Sequence, residues 1–157
     1  MKIISPTGLG IREWDKWGSG RFRAPRKKLI DEAWVSYDHK GADFRIIKQG
    51  EIFKPGKIIV SPCDGKVIRE VFPYQGTHYR GILIANEFGD FKLFYVSPFP
   101  RILRVGKKIK VGEEIGLAQD ISKKYPGMTP HIHLQIEVHG NNLWSGKQDF
   151  INPEMLM

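Results

Sequence analysis

From residue 44 onward the sequence is a succession of short segments rich in β-branched and aromatic residues, each closed by a turn signal. "FRIIK" (44–48), "KIIVS" (57–61), "KVIREVF" (66–72), "GILIAN" (81–86), "FKLFYVS" (91–97) and "HIHLQIEVH" (131–139) have strand length and strand composition. "KPGK", "CDGK", "FGD" and "SPFP" place Gly, Pro and Asp where the chain must reverse. "RVGKKIKVGEEIGLAQ" (104–119) reads as two further short strands between glycine turns, and "DISKKYPGMTP" (120–130) as a polar loop. Pro62 and Pro98 belong at strand ends or edges, because proline has no N–H for a ladder. The expectation is an all-β fold built on antiparallel sheets. At 157 residues, with neither repeats nor linkers, it is expected to form a single domain.

The first 38 residues lack this regularity. "WGSGRFRAPRKK" (17–28) reads as an exposed basic loop, and "KKLIDEAWVSY" (27–37) fits a short helix or a strand equally well. The net charge of +8 favours polyanionic partners, but charge alone does not choose among nucleic acid, anionic membrane surfaces and wall polymers. No nucleic-acid interaction is expected, since the aromatics form no stacking motif. One cysteine, Cys63, excludes an internal disulfide framework and a cysteine-rich zinc knuckle. It reads as a small turn or core residue. No stretch approaches the ~18 apolar residues of a membrane-spanning helix, and "MKIISPTGLGIREWDKW" lacks the apolar core of a signal peptide.

The chemistry concentrates in histidines. In strand geometry His131, His133, Gln135 and Glu137 share one face, while Ile132, Leu134, Ile136 and Val138 share the other, which must be the core face. Upstream, "YDHKGADF" (37–44) offers His39 and Asp43 around Gly41, whose freedom would allow a tight bend. An imidazole and a carboxylate from one segment with an imidazole from another suit a catalytic zinc site, which keeps a fourth position open. His78 and His139 read as exposed turn and strand-end residues, and Asp64 and Gly65 as turn chemistry.

His39-x-Gly-x-Asp43, followed some ninety residues later by Pro130 and His131-x-His133, resembles the M23 family of zinc metallopeptidases, the lysostaphin- and LytM-like peptidoglycan endopeptidases. "TGLGIRE", "KIIVSPCDGKVIREV", "HYRGILIANEFGDFKLFYVS", "RVGKKIKVGEEIGLAQ" and "TPHIHLQIEVHG" resemble further family segments in the same order. The resemblance runs from about residue 5 to residue 153, and the least similar part, about 15–37, looks like a basic loop or arm insertion. It implies Zn2+ held by His39, Asp43 and His133, with His131 a catalytic residue beside the metal, and peptidoglycan as partner. Where the family has a further histidine in "Y-x-H-L", this chain has Tyr95 and Ser97 in "FYVSPF". Those two residues are the expected substrate-binding groups, and the exchange admits a non-catalytic, wall-binding or hydrolase-activating alternative. An enzyme of this kind without a signal peptide would be made in the cytoplasm. It would reach the wall by holin-type release, virion delivery or dedicated export, in keeping with a phage or prophage lysin. A biotinyl- or lipoyl-carrier reading of "SPCDGKV" and "VGKKIKVGEEIG" lacks the modified-lysine tripeptide and leaves the histidines unused.

Overall fold

The computed structural model describes residues 1–48, 51–139 and 149–157. Twelve strands occur in chain order among these residues: β1 Pro25–Ile30, β2 Ala33–Asp38, β3 Ala42–Arg45, β4 Ile58–Val60, β5 Gly65–Val71, β6 Gly81–Ala85, β7 Gly89–Phe94, β8 Val96–Pro98, β9 Lys108–Ile109, β10 Glu114–Ala118, β11 His131–Val138 and β12 Phe150–Ile151. The only helical elements described are two short 3-10 turns, Ile121–Lys123 and Pro153–Leu156. The all-β expectation is borne out.

Among the described residues three antiparallel sheets form. The large one runs β12-β11-β7-β6-β5-β9, with β3 also paired to β11; the small one runs β4-β10-β8; β1 and β2 make a separate hairpin. Alternation along β11 sends Ile132, Leu134 and Ile136 inward, each 0% exposed, and they join one core cluster with Ile82, Ile84, Phe91 and Leu93 of the large sheet and Ile59, Val96 and Ile115 of the small one. Burying a side chain of this size is worth about 1.5–3 kcal/mol. That driving force commits the opposite face of β11, with its histidines, to face away from the core.

Two departures from the sequence reading have local causes. Residues 91–97 do not form one strand. Tyr95 takes a left-handed backbone (φ 69) and the N–H groups of Tyr95 and Val96 both donate to the Arg80 carbonyl, at 2.8 and 3.1 Å. The chain thereby leaves the large sheet after Phe94 and enters the small one at Val96. Such a backbone on a bulky residue costs of order 1–3 kcal/mol and persists only where packing enforces it. The second departure is the arm. Residues 25–28, read as loop, open β1, and the undecided 27–37 segment is a hairpin whose turn residues Asp31 and Glu32 have φ 48 and φ 65. Two consecutive positive φ values make the turn type that matches strand twist, but Asp-Glu lacks the usual Asn-Gly signature. Pro98 ends β8, an edge strand of the small sheet, as its missing donor requires.

Candidate metal centre

The register between β3 and β11 sets Asp43 opposite His133 and Arg45 opposite His131. His39 reaches the same point from the end of the hairpin, where its N–H donates to the Ala24 carbonyl and its C=O accepts from Arg23. Gly41 joins the two segments. It is needed for space, not for a bend: a Cβ there would collide with the Leu134 carbonyl oxygen and come within 2.8 Å of the His133 ring.

Three donor atoms converge. His39 Nε2 lies 3.1 Å from Asp43 Oδ1, His133 Nδ1 lies 2.9 Å from the same oxygen, and the two ring nitrogens are 3.0 Å apart. His39 Nδ1 donates to the Arg21 carbonyl at 2.8 Å. In the neutral ring that commits its one N–H, so Nε2 turns a lone pair toward a carboxylate and a second imidazole. A metal cation between them satisfies that arrangement, as does a ring proton on His133 Nδ1, 2.9 Å from Asp43 Oδ1. Tetrahedral zinc with ~2.0–2.1 Å bonds separates its ligand atoms by ~3.3 Å, close to what these side chains already show. The donor set, two nitrogens and one oxygen, therefore fits zinc with a position left over.

His131 stands beside this group, 3% exposed, with Nε2 3.5 Å from Asp43 Oδ2 and Nδ1 donating to the Thr129 carbonyl at 2.8 Å. Burial lowers its pKa to about 4, against the pull of Asp43. The ring is neutral near pH 7, and the Thr129 bond leaves the lone pair on Nε2. For Asp43, burial alone would raise the carboxyl. As the pH falls, positive charge on the surrounding imidazoles, foremost His131 and then His133 and His39, outweighs it and holds the group well below the usual carboxylate range.

Arg12 is the main participant that sequence reasoning left without a role. It is 1% exposed, and its Nε and Nη2 donate to Asp43 Oδ2 at 3.3 and 3.2 Å while Nη1 donates to Asp15 Oδ2 at 2.7 Å. A ladder of backbone bonds places it: Arg12 N–H to Asp43 C=O, Gly20 N–H to Arg12 C=O and Asp43 N–H to Gly20 C=O. Its one sequence signal was its place in "GIRE", inside a family-like segment. Arg26 adds a second guanidinium, 3.6 Å from Asp43 Oδ2.

These groups line a cleft of ≈ 630 Å³. Tyr95 lines it too, edge-on to His131 with ring centroids 5.3 Å apart, and its hydroxyl is 3.1 Å from that of Tyr74, another lining residue. Burial raises the pKa of both phenols, so both remain protonated donors. Nothing in "PYQGTHY" marked Tyr74 in advance. Ser97 lies on β8 opposite Leu117, is not among the cleft-lining residues, and its Oγ accepts from Arg80 Nη1 at 3.4 Å. His78 is exposed, and His139 pairs at the surface with Asp90 at 2.7 Å. No helix among the described residues is long and apolar enough to cross a membrane.

No protein-family profile matches the chain. It is 27% identical to leukocyte cell-derived chemotaxin-2 of Bos taurus over 127 residues, which are 80% of this chain and 72% of that protein. CbpA of L. salivarius REN superposes with a TM-score of 0.51 at 19% identity, over 76% of this chain and 72% of that one. A Pseudomonas aeruginosa structure assigned to the M23 peptidases gives 0.52 at 13% identity, over 98% of this chain and 49% of that one. At these identities the likeness is one of architecture: the chain has an M23-type β fold, and a His39–Asp43–His133 cluster able to hold a metal ion lies in its cleft.

Proposed function

We propose that this chain is a zinc-dependent endopeptidase that hydrolyses peptide bonds in peptidoglycan stems or cross-bridges. The observation that carries the reading is the convergence of His39, Asp43 and His133 at 2.9–3.1 Å beside a buried, neutral His131. His39, Asp43 and His133 would hold the metal. Zinc bound there would supply Lewis acidity and a nucleophile ionised near neutral pH. His131 Nε2 takes up the proton released at attack and returns it to the departing amine, which is general base then general acid work by one imidazole. The Thr129 carbonyl keeps its tautomer fixed through both steps. A phenol of the Tyr74–Tyr95 pair donates to the substrate carbonyl, the task left open by Ser97. Ser97 itself assists indirectly, since Arg80 links it to the left-handed backbone of Tyr95. Holin-type release or virion delivery would bring such an enzyme to the wall.

A second reading is a zinc-containing protein of this fold that binds wall peptide or activates another hydrolase without cutting. Ser97, standing where the family pattern has histidine, favours it, as does a relative named for chemotaxis. The test is mass-spectrometric analysis of purified peptidoglycan after incubation with zinc-loaded wild type and His131→Ala. The endopeptidase reading predicts new peptide termini with wild type and at least a hundredfold fewer with the variant, at the low end of general acid–base contributions of ~10²–10⁴. Full zinc loading with no new termini from wild type would leave the binding reading standing.

A further inference from the structure

The cleft is electrically one-sided. Arg12, Lys16, Arg26, Lys27 and Lys40 line it, and among the described residues Asp43 is the one carboxylate in its lining. Asp43 is already committed to two arginines and three histidines. Arg12 is matched by Asp15 and Asp43. Lys27 and Lys40 are both exposed, and among the described residues neither has a carboxylate within 4.0 Å. A metal ion at the centre would add to the positive field.

The two lysines stand at informative places. Lys40 directly follows His39 and precedes Gly41, so it is fixed to the metal-binding segment itself. Lys27 lies on β1, opposite Ser36 and on the same hairpin face as Trp34, whose partner is Leu29. Trp34 is 71% exposed yet lines the cleft. A hairpin that packs so little of its own surface gains little stability from large apolar and basic residues. Of these it presents Arg26, Lys27, Trp34 and Tyr37 to whatever lies in the cleft.

Resting on the endopeptidase reading, we propose that the cleft selects a peptide bearing a free carboxylate close to the bond presented to the metal, with Lys27 and Lys40 as the recognising cations. The occupant is then an acidic stem-type segment. A neutral glycine bridge would offer neither lysine a carboxylate, and Lys40 would keep only its place over the Phe150 ring, 5.2 Å from the centroid.

The test is calorimetric titration of the zinc-loaded full chain with two N-acetylated, C-amidated pentapeptides, Gly-Gly-Glu-Gly-Gly and Gly-Gly-Gln-Gly-Gly. These differ in one carboxylate and almost nothing in shape. The glutamate peptide is expected to bind about threefold to tenfold more tightly at low salt, the range for one or two exposed ion pairs, with the difference shrinking at 0.5 M salt. Lys27→Ala/Lys40→Ala should abolish the preference while circular dichroism stays unchanged, since both side chains are exposed. Equal affinities, binding of neither peptide, or a preference that survives the double variant would overturn the proposal. So would inorganic polyphosphate displacing the glutamate peptide through the same lysines, because the site would then be one for phosphate polymers. Cleavage is scored separately. A charge preference without cleavage sinks the endopeptidase reading and upholds the site; cleavage without a preference does the reverse.

Discussion

Replacing Arg12 with alanine should be among the most damaging single changes in this protein. Its guanidinium makes two bonds to Asp43 Oδ2 at 3.3 and 3.2 Å, one to Asp15 Oδ2 at 2.7 Å and one to the Gly18 carbonyl at 2.9 Å, all from a side chain 1% exposed. Truncation leaves Asp43, itself 3% exposed, short of its main permanent counter-charge. Breaking a buried ion pair from one side costs about 3–5 kcal/mol. Two features push the value to the lower part of that range: Arg26 Nη2 remains 3.6 Å from Asp43, and Asp15 keeps bonds from the N–H groups of Trp17 and Thr129. A loss of about 3–4 kcal/mol is expected, which for a chain of this size lowers Tm by about 6–16 °C. The assay is thermal and urea unfolding with excess EDTA, so that no metal substitutes for the missing charge. Arg12→Lys should fall between, since an ammonium keeps the charge but not the fork. Zinc also neutralises Asp43, so the alanine variant should gain more stability from added zinc than wild type does. A loss below about 1 kcal/mol in EDTA would refute the counter-charge reasoning, because it would be no larger than a surface pair contributes.

Two further outcomes follow from packing. Gly41→Ala drives a methyl into the Leu134 carbonyl and the His133 ring, so it should cost about 1–3 kcal/mol by overpacking and sharply weaken zinc binding, read by chelator competition. Cys63 is 1% exposed, and burial pushes its thiol up to about 12. It should resist thiol reagents at pH 8 until the chain unfolds. Between the ordinary thiol pKa of about 8.5 and that value the folded chain holds a proton that the unfolded chain has released, so this group's contribution is present below the window and stability falls as pH rises through it. Rapid labelling of the native chain at pH 8 would contradict that burial.

What could be read in advance was local and periodic. Alternation in 131–138 separates Ile132, Leu134 and Ile136 from the histidine face, and a strand with one buried face has little choice of orientation. Period two says nothing about which strand lies alongside, so the approach of Asp43 to His133 depends on a β3–β11 register that no local pattern encodes. Residue types in the two segments suggested it, and the family resemblance named the ligand set. The hairpin was illegible because Asp31 and Glu32 carry no turn signature, and the break at Tyr95 because a tyrosine in left-handed backbone is a tertiary effect. Arg12 was hidden for a related reason. Arginine in a loop is ordinarily solvated, and only the backbone ladder through Gly20 buries this one. Ser97 was singled out by what a family pattern has in its place, whereas its own surroundings are Arg80 and the small sheet.

The central claim is the division of labour among four residues, and metal content measures it most directly. Zinc should be determined by elemental analysis after dialysis for wild type, His39→Ala, Asp43→Ala, His133→Ala and His131→Ala, each checked for native circular dichroism. One zinc per chain is predicted for wild type and His131→Ala, and a loss of tight binding for the other three. Zinc retained by folded His39→Ala and His133→Ala, or no zinc in the wild type after reconstitution, would contradict it.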